Sequence, residues 1–420
     1  MLPSTFYAAV AMLAISQAAS VSANHYKPRI EEGLQARSNP FSAHSARPRD
    51  AFHRSGSSLR KRCTRKSSSQ IAISSDSGDN EDSGSSSTDG NEDDDGSSSS
   101  SSSSSKGTSV AKASSSNSTA HSGSWLKKNC VTWGWITDDG DHSHGSTGSL
   151  ETPAQINSAV GTDALYFGAY AHVQGDEYKK GDSSTYFDGS EIIPYVDYLK
   201  GTGAIAVLSV MPVYGWGGLT SDDNTQALQT VKVLKEFTDA GIEVYLRFGH
   251  EMNWYTQPNS DDAQSGKSYY SGGGSEYIEG WKTMAAAVKS ELPDVKMFWC
   301  PNIGSASDYA KFWPGADTVD IVGVDYYPHG DYSDLASHVQ GIHDTYAKAN
   351  DIPFHLGETG STAGDSVKEQ WVKTLTSEDT CNKLSHFEAS HWFNYDKGGD
   401  FRVAEPNAAG MTSTFVKLME

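Results

Sequence analysis

Two segments of the chain run from strand-forming residues straight into side chains that can move protons. They are Arg247-Phe248-Gly249-His250-Glu251-Met252-Asn253-Trp254 and His355-Leu356-Gly357-Glu358-Thr359-Gly360. Strand stability asks for no such succession of Arg, His, Glu and Asn. Cleavage of a glycosidic bond does: one carboxylic acid protonates the departing oxygen while a second carboxylate meets the anomeric carbon. Glu251 and Glu358 are the candidates. A lone glutamate at a strand end is more often the partner of a nearby Arg or Lys, but two in such settings favour the catalytic pair. Held about 5–5.5 Å apart, they would support double displacement with retention of configuration.

Something must bring these two segments together. Apolar and β-branched runs recur, each followed by a helical pattern. The predicted strands are Val131–Thr137, Ala164–Ala171, Ile205–Met211, Glu243–Phe248, Lys296–Pro301, Asp320–Asp325, Phe354–Gly357 and Ser390–Asn394. Between them lie helical stretches such as Asn224–Ala240, Tyr277–Leu292, Asp334–Ala349 and Val367–Leu384. Strands alternating with helices imply a parallel α/β sheet, open or closed. No glycine-rich dinucleotide or phosphate-binding fingerprint follows the first strand, which removes the main support for the open sheet. Polar and aromatic residues gather where several different strands end: Trp135, His172, Trp216, His250-Glu251, Asn302, Tyr326-Tyr327, Glu358 and Trp392. A (β/α)8 TIM barrel assembles its site in that way. A pyranose stacks its apolar face on Trp or Tyr, so Trp133, Trp135, Trp216, Trp254, Trp392 and the Tyr326-Tyr327 pair are candidate sugar contacts. About half of these are expected to be core, the usual fate of a tryptophan.

The segments RFGHEMNW around Glu251 and LGETG around Glu358 resemble the acid/base and nucleophile motifs of glycoside hydrolase family 26. Val319–Tyr327 on the sixth strand and His391–Arg402 after the eighth extend the resemblance over roughly Cys130 to Pro406. It implies a retaining (β/α)8 hydrolase with its carboxylates after strands four and seven. By carry-over Glu251 is the proton donor, Glu358 the nucleophile and His250 a substrate contact. Tyr326 or Tyr327 is a hydrogen-bond partner of the nucleophile, and Trp392 the aromatic floor under the attacked sugar. Arg247, Asn253, Trp254, Trp216 and His172 are further candidate substrate contacts. The activity implied is β-mannanase first, with β-1,3-xylanase and mixed-linkage β-glucanase as minority activities of the family. No cofactor or metal is implied. The chain departs from the family's mannanases after Asn253, where Trp254-Tyr255-Thr256 and a Gly/Ser-rich loop (Asn259–Ser275) stand in place of a glycine and a tryptophan pair.

Ahead of the barrel the composition changes. Phe6 to Ile15 is a short apolar run ending in small residues and Val21-Ser22-Ala23, so residues 1–23 read as an export signal. Residues 24–66 carry eleven Lys/Arg against three Asp/Glu, including the dibasic Lys61-Arg62, and read as a propeptide-like region. Residues 67–124 are mostly Ser, Gly, Asp and Asn and too poor in apolar surface to offset the entropy of ordering, so they are expected to be a disordered linker. Asn117-Ser118-Thr119 is a glycosylation sequon. The catalytic domain is assigned to residues 125–420, whose length suits one barrel. Its 41 acidic residues against 20 basic ones argue against nucleic acid or an anionic membrane as partner. A secreted monomer acting on a neutral polysaccharide is the expectation. A catalytically inactive, wall-tethered glycan-binding protein is the alternative from another class, disfavoured because binding alone needs neither glutamate. The cluster Asp138-Asp139-Gly140-Asp141-His142-Ser143-His144 lacks the spacing of an EF-hand and reads as a solvated loop. Cys130 begins the first strand and Cys381 precedes the eighth, so both fall at the bottom of the barrel, where a disulfide is expected, with Cys300 buried and unpaired.

Overall fold

Each of the eight predicted runs forms a strand, and the first pairs with the last. In chain order they are β1 (Val131–Thr137), β2 (Tyr166–Gln174), β3 (Ile205–Val213), β4 (Val244–Phe248), β5 (Lys296–Trp299), β6 (Ile321–Asp325), β7 (Phe354–Thr359) and β8 (Phe387–Asn394). All neighbours are parallel, and β1 lies beside β8 from Thr132↔Ala389 to Thr137↔Asn394. The result is a closed eight-stranded barrel with helices between the strands, a TIM barrel. A two-residue strand, Lys127–Lys128, adds an antiparallel pairing to β1. The computed structural model describes residues 123–140, 146–257, 269–405 and 409–420. The expected export signal, the basic region, the Ser-rich segment through residue 122, residues 141–145 of the acidic loop, residues 258–268, which include the first part of the Gly/Ser-rich loop, and residues 406–408 lie outside the described residues.

The helices are α1 (Pro153–Val160), α2 (Pro194–Leu199), α3 (Thr225–Asp239), α4 (Met252–Tyr255), α5 (Gly274–Glu291), α6 (Ala306–Phe312), α7 (Leu335–Ile342), α8 (Asp365–Leu375), α9 (Glu378–Lys383) and α10 (Ala409–Met419). Local chemistry sets several ends. Thr152 caps α1 in a reciprocal box with Gln155, and Gly161 ends it at φ 79°. The long helix expected over Val367–Leu384 is two, because Ser377 accepts a hydrogen bond from the Thr380 amide and starts a new helix there. The stretch expected over Asp334–Ala349 is α-helical only through α7, after which a π turn (His343–Ala347) and a 3₁₀ turn (Lys348–Asn350) finish it.

Alternation along the strands divides the core in two. One set, including Tyr166, Ile205, Val207, Phe298, Cys300, Ile321 and Ala389, fills the barrel interior. The opposite set packs outward under the helices. Trp133, Trp135 and Trp392 belong to this outer layer: all three are fully buried, with Trp133 stacked on Trp392 at 5.7 Å and Phe415 of α10 against both Trp133 and Trp135. Parallel strands covered on both faces give continuous apolar runs, and here those runs anchor the C-terminal helix.

At the strand N-termini, Cys130 and Cys381 form the expected disulfide, with Cα atoms 5.8 Å apart, and Cys300 is buried and unpaired. The bridge joins positions 251 residues apart, so it removes a large loop-closure entropy from the unfolded chain. We predict that Cys130→Ser/Cys381→Ser lowers stability by about 2–5 kcal/mol, read as a lower urea midpoint. Activity at 25 °C should be kept, because the bridge lies at the end of the barrel away from the carboxylates. A midpoint equal to wild type would contradict the assignment.

Candidate active site

The C-terminal ends of six strands converge on one buried cation. Arg247 of β4 points into the barrel, 1% exposed. One terminal nitrogen donates to Ser209 Oγ on β3 (2.9 Å) and to Glu358 Oε1 on β7 (2.7 Å), and the other to Asp325 Oδ2 on β6. The sulfur of Cys300, just past β5, lies 3.1 Å from the other oxygen of Asp325. Glu358 takes two more donors, Tyr170 Oη of β2 on Oε1 (2.8 Å) and Tyr327 Oη on Oε2 (2.9 Å). Three donors, one of them a guanidinium, suit an ionised carboxylate.

Glu358 needs a backbone irregularity to be there. Strict alternation from His355 would send it to the outer face with Leu356. The pairing of β7 with β8 shifts register between Leu356 and Thr359, and that shift turns the carboxylate into the mouth. Thr359, next along, donates from Oγ1 to the carbonyl of Tyr326. Glu251 is aimed differently. The chain leaves β4 through Gly249 at φ 56°, and Glu251 itself sits in the left-handed region at φ 51°, which costs a side-chain-bearing residue about 1–2 kcal/mol. Its amide donates to the Cys300 carbonyl (2.8 Å), and its Oε1 accepts from Asn302 Nδ2 (2.5 Å).

The two glutamates and Asp325 each place an oxygen within 4.8 Å of the others. Such a trio could hold a metal ion, but the Arg247 guanidinium already bridges Asp325 and Glu358, so the fold supplies the countercharge itself. Burial first, and the negative charge of Glu358 next, push the Glu251 carboxyl up to about 8, against the pull of Arg247 and of hydrogen bonds from Asn302 and Tyr255. His250, buried with Nε2 3.8 Å from Glu358 Oε1, is held well below its usual range by burial and then by Arg247 and His172, and stays a neutral imidazole.

Of the residues singled out in the sequence, Arg247, His250, Glu251, Tyr327 and Glu358 meet in this site. His172 lies on the inward face of β2, its ring Nδ1 2.7 Å from Glu191 Oε1, and Trp254 is half-buried on α4. Two of the expected sugar contacts, Trp392 and Tyr326, are corrected. Trp392 is no sugar floor: it faces the helix layer, its indole N–H spent on the Phe401 carbonyl, and Phe393 takes the inward place one residue on. Tyr326 stacks on His338 at 5.1 Å beneath the helices, and of this pair Tyr327 is the one that reaches Glu358. Asn253 is a support, since its amide group exchanges two hydrogen bonds with the Asn302 backbone (2.8 and 2.9 Å). Trp216 packs on Gly280, Phe248 and Tyr277, and its N–H is taken by the Ser271 carbonyl. Tyr170, Ser209 and Asp325 were not among the candidate site residues. Tyr170 shares the inward parity of His172, and that two-residue spacing was the available signal.

No family model matches the sequence, and no curated protein matches it. Among solved structures the chain is similar to the catalytic domain of a Bacillus sp. JAMB-750 GH26 endo-β-1,4-mannanase, at 18% identity over 69% of this chain and 85% of that one, with a TM-score of 0.47. It is also similar to a double mutant of Cellulomonas fimi endo-β-1,4-mannanase (17% identity, 69% and 70% coverage, TM-score 0.48). A third similarity is to a fungal β-1,4-galactanase (15% identity, 68% and 98% coverage, TM-score 0.45). Identities this low do not carry a substrate across.

A raised Glu251 has two consequences with fixed signs. As an acid it is active below its pKa, so kcat/KM on any substrate that needs protonation should fall as pH rises through about 8. Because the folded value lies above the ordinary 4.5, its contribution to stability is full below about pH 4.5 and is lost as pH rises through about 8. We predict that Glu358→Gln, which removes the neighbouring charge, lowers the Glu251 pKa, followed by carbon-13 NMR of labelled glutamate. A Glu251 that titrates near 4.5 in the wild-type protein would contradict this electrostatic reading.

Proposed function

We propose that the chain is a secreted, retaining glycoside hydrolase acting on a neutral β-linked polysaccharide, with endo-β-1,4-mannanase as the first candidate activity. The observation that carries the reading is the carboxylate pair, two buried glutamates with oxygens within 4.8 Å and unlike surroundings. That spacing suits a nucleophile and an acid on one sugar, whereas an inverting pair stands about 6.5–9.5 Å apart to admit a water. Glu358, held by Arg247, Tyr170 and Tyr327, attacks the anomeric carbon and forms the glycosyl-enzyme. Glu251 gives its proton to the departing oxygen. Once Glu358 is esterified its charge is gone, the Glu251 pKa drops, and Glu251 becomes the base that takes a proton from the incoming water. One electrostatic coupling thus serves both half-reactions.

The polysaccharide choice rests on the resemblance of the motifs and on a domain charge that repels polyanions. The N-terminal apolar segment supports export; among the described residues no helix is long and apolar enough to cross a membrane. Mixed-linkage β-glucan and β-1,3-xylan remain the rivals on the same site, and reducing-sugar release from a panel with mannan and galactomannan separates them.

The two glutamates should fail differently. Glu358→Ala should abolish turnover on every substrate. Glu251→Ala should lose about 10²–10⁴-fold on polysaccharide, keep glycosylation by an activated aryl glycoside, and be accelerated by azide to a retained β-glycosyl azide. Azide rescue of Glu358→Ala with that same retained product would exchange the roles, and no activity on any member of the panel would remove the hydrolase reading.

A further inference from the structure

We infer that Cys300 is a positioning residue for this reaction: its thiol braces Asp325, and through Asp325 the Arg247 guanidinium that holds Glu358. The kinetic part of the inference rests on the glycosidase reading, while the bracing itself rests on geometry. The Cys300 side chain lies inside the barrel, fully buried, with its sulfur 3.1 Å from Asp325 Oδ1. Asp325 Oδ2 takes Arg247, so the two oxygens of this carboxylate have separate donors. The guanidinium also approaches the sulfur, and its Nε, buried, has no oxygen acceptor among the described residues.

The residue before Glu358 is shaped to this contact. A Cβ on Gly357 would fall 2.2 Å from Cys300 Sγ, 2.7 Å from Asp325 Oδ1 and 3.1 Å from Arg247 Nε. The glycine therefore leaves the room that the thiol occupies. Three strands and the turn after β5 meet around one sulfur atom. The titratable and charged groups that face it are Asp325 of β6, Arg247 of β4 and Tyr277 of α5. Burial, then the charge of Asp325, push the thiol up, so it stays S–H and donates.

Removing the donor leaves the charge of Asp325 leaning on Arg247 alone, which draws the guanidinium from Glu358. Glu358 is then less well held as a carboxylate. The thiol touches no substrate, so the effect belongs in kcat and in the acidic limb of the pH profile, with KM unmoved.

The test compares Cys300→Ala and Cys300→Ser with wild type on an activated aryl glycoside across pH. The expected result is about a tenfold loss of kcat in Cys300→Ala, KM within twofold, and an acidic limb moved to higher pH. Cys300→Ser, which keeps a short donor, should recover most of that loss and return the limb. Equal kcat and limb in Cys300→Ala and wild type, or a serine variant as impaired as the alanine one, overturns the inference. An activity-independent measurement accompanies it: the S–H stretching band of Cys300, taken as the infrared difference between Cys63→Ser and Cys63→Ser/Cys300→Ser proteins, the first change removing the fourth cysteine of the chain, which lies in the basic N-terminal region. A band at the frequency of a hydrogen-bonded thiol supports the brace; one at the frequency of an unbonded thiol overturns it. If wild type cleaves no glycoside, the glycosidase reading falls, and the brace is decided by the band.

Discussion

The buried guanidinium of Arg247 is what allows three carboxyl groups to share the mouth of this barrel. Glu251, Asp325 and Glu358 lie with oxygens within 4.8 Å of one another, all shielded from solvent. Two unit charges 4 Å apart interact by about 4 kcal/mol at an effective dielectric constant of 20, so three ionised carboxylates would repel strongly. Arg247 binds two of them directly, which fixes Glu358 and Asp325 as its partners. The third, Glu251, makes no ion pair among the described residues and relieves the surplus by keeping a proton. In the proposed reaction the acid and the nucleophile are therefore distinguished by which glutamate touches the arginine.

This charge pattern depends on backbone departures at two strand ends. Glu251 occupies a left-handed conformation just past β4, and Glu358 is turned inward by the register shift late in β7. Strain and bulges at such points are stable only where the surroundings fix them. Here the surroundings are specific: Asn253 holds the Asn302 backbone, Asn302 holds Glu251, and Thr359 is locked by the Tyr326 carbonyl and the Trp371 indole. Far from the site, closure of β1 on β8 and the disulfide at the opposite end keep the six contributing strands in one ring.

The fold and the two glutamates were legible in the sequence because each is written locally, as an apolar run ending in a charged residue. What the sequence could not show is parity. Strands buried on both faces carry apolar residues at every position, so nothing in His391-Trp392-Phe393 tells which ring looks into the mouth, and the role that the resemblance implies for Trp392 is not borne out by the parity of the strand. The same ambiguity left Tyr326 and Tyr327 interchangeable until their contacts separated them. Asp325 ends an apolar strand much as Glu358 does, but its partner Arg247 is 78 residues away, and no local pattern announces a pairing across the barrel. Tyr170 was hidden for the related reason that a tyrosine in an apolar strand looks like packing.

The central claim is that Glu358 forms a covalent bond with the sugar while Glu251 moves protons. Inactivation with an activated 2-deoxy-2-fluoro-β-glycoside, followed by peptide mapping by mass spectrometry, tests it most directly, because the fluorine slows breakdown of a glycosyl-enzyme enough to isolate it. The account predicts one sugar per protein, attached to the peptide that contains Glu358. A label on the peptide containing Glu251, or turnover with inversion of the anomeric centre and no label, would contradict it.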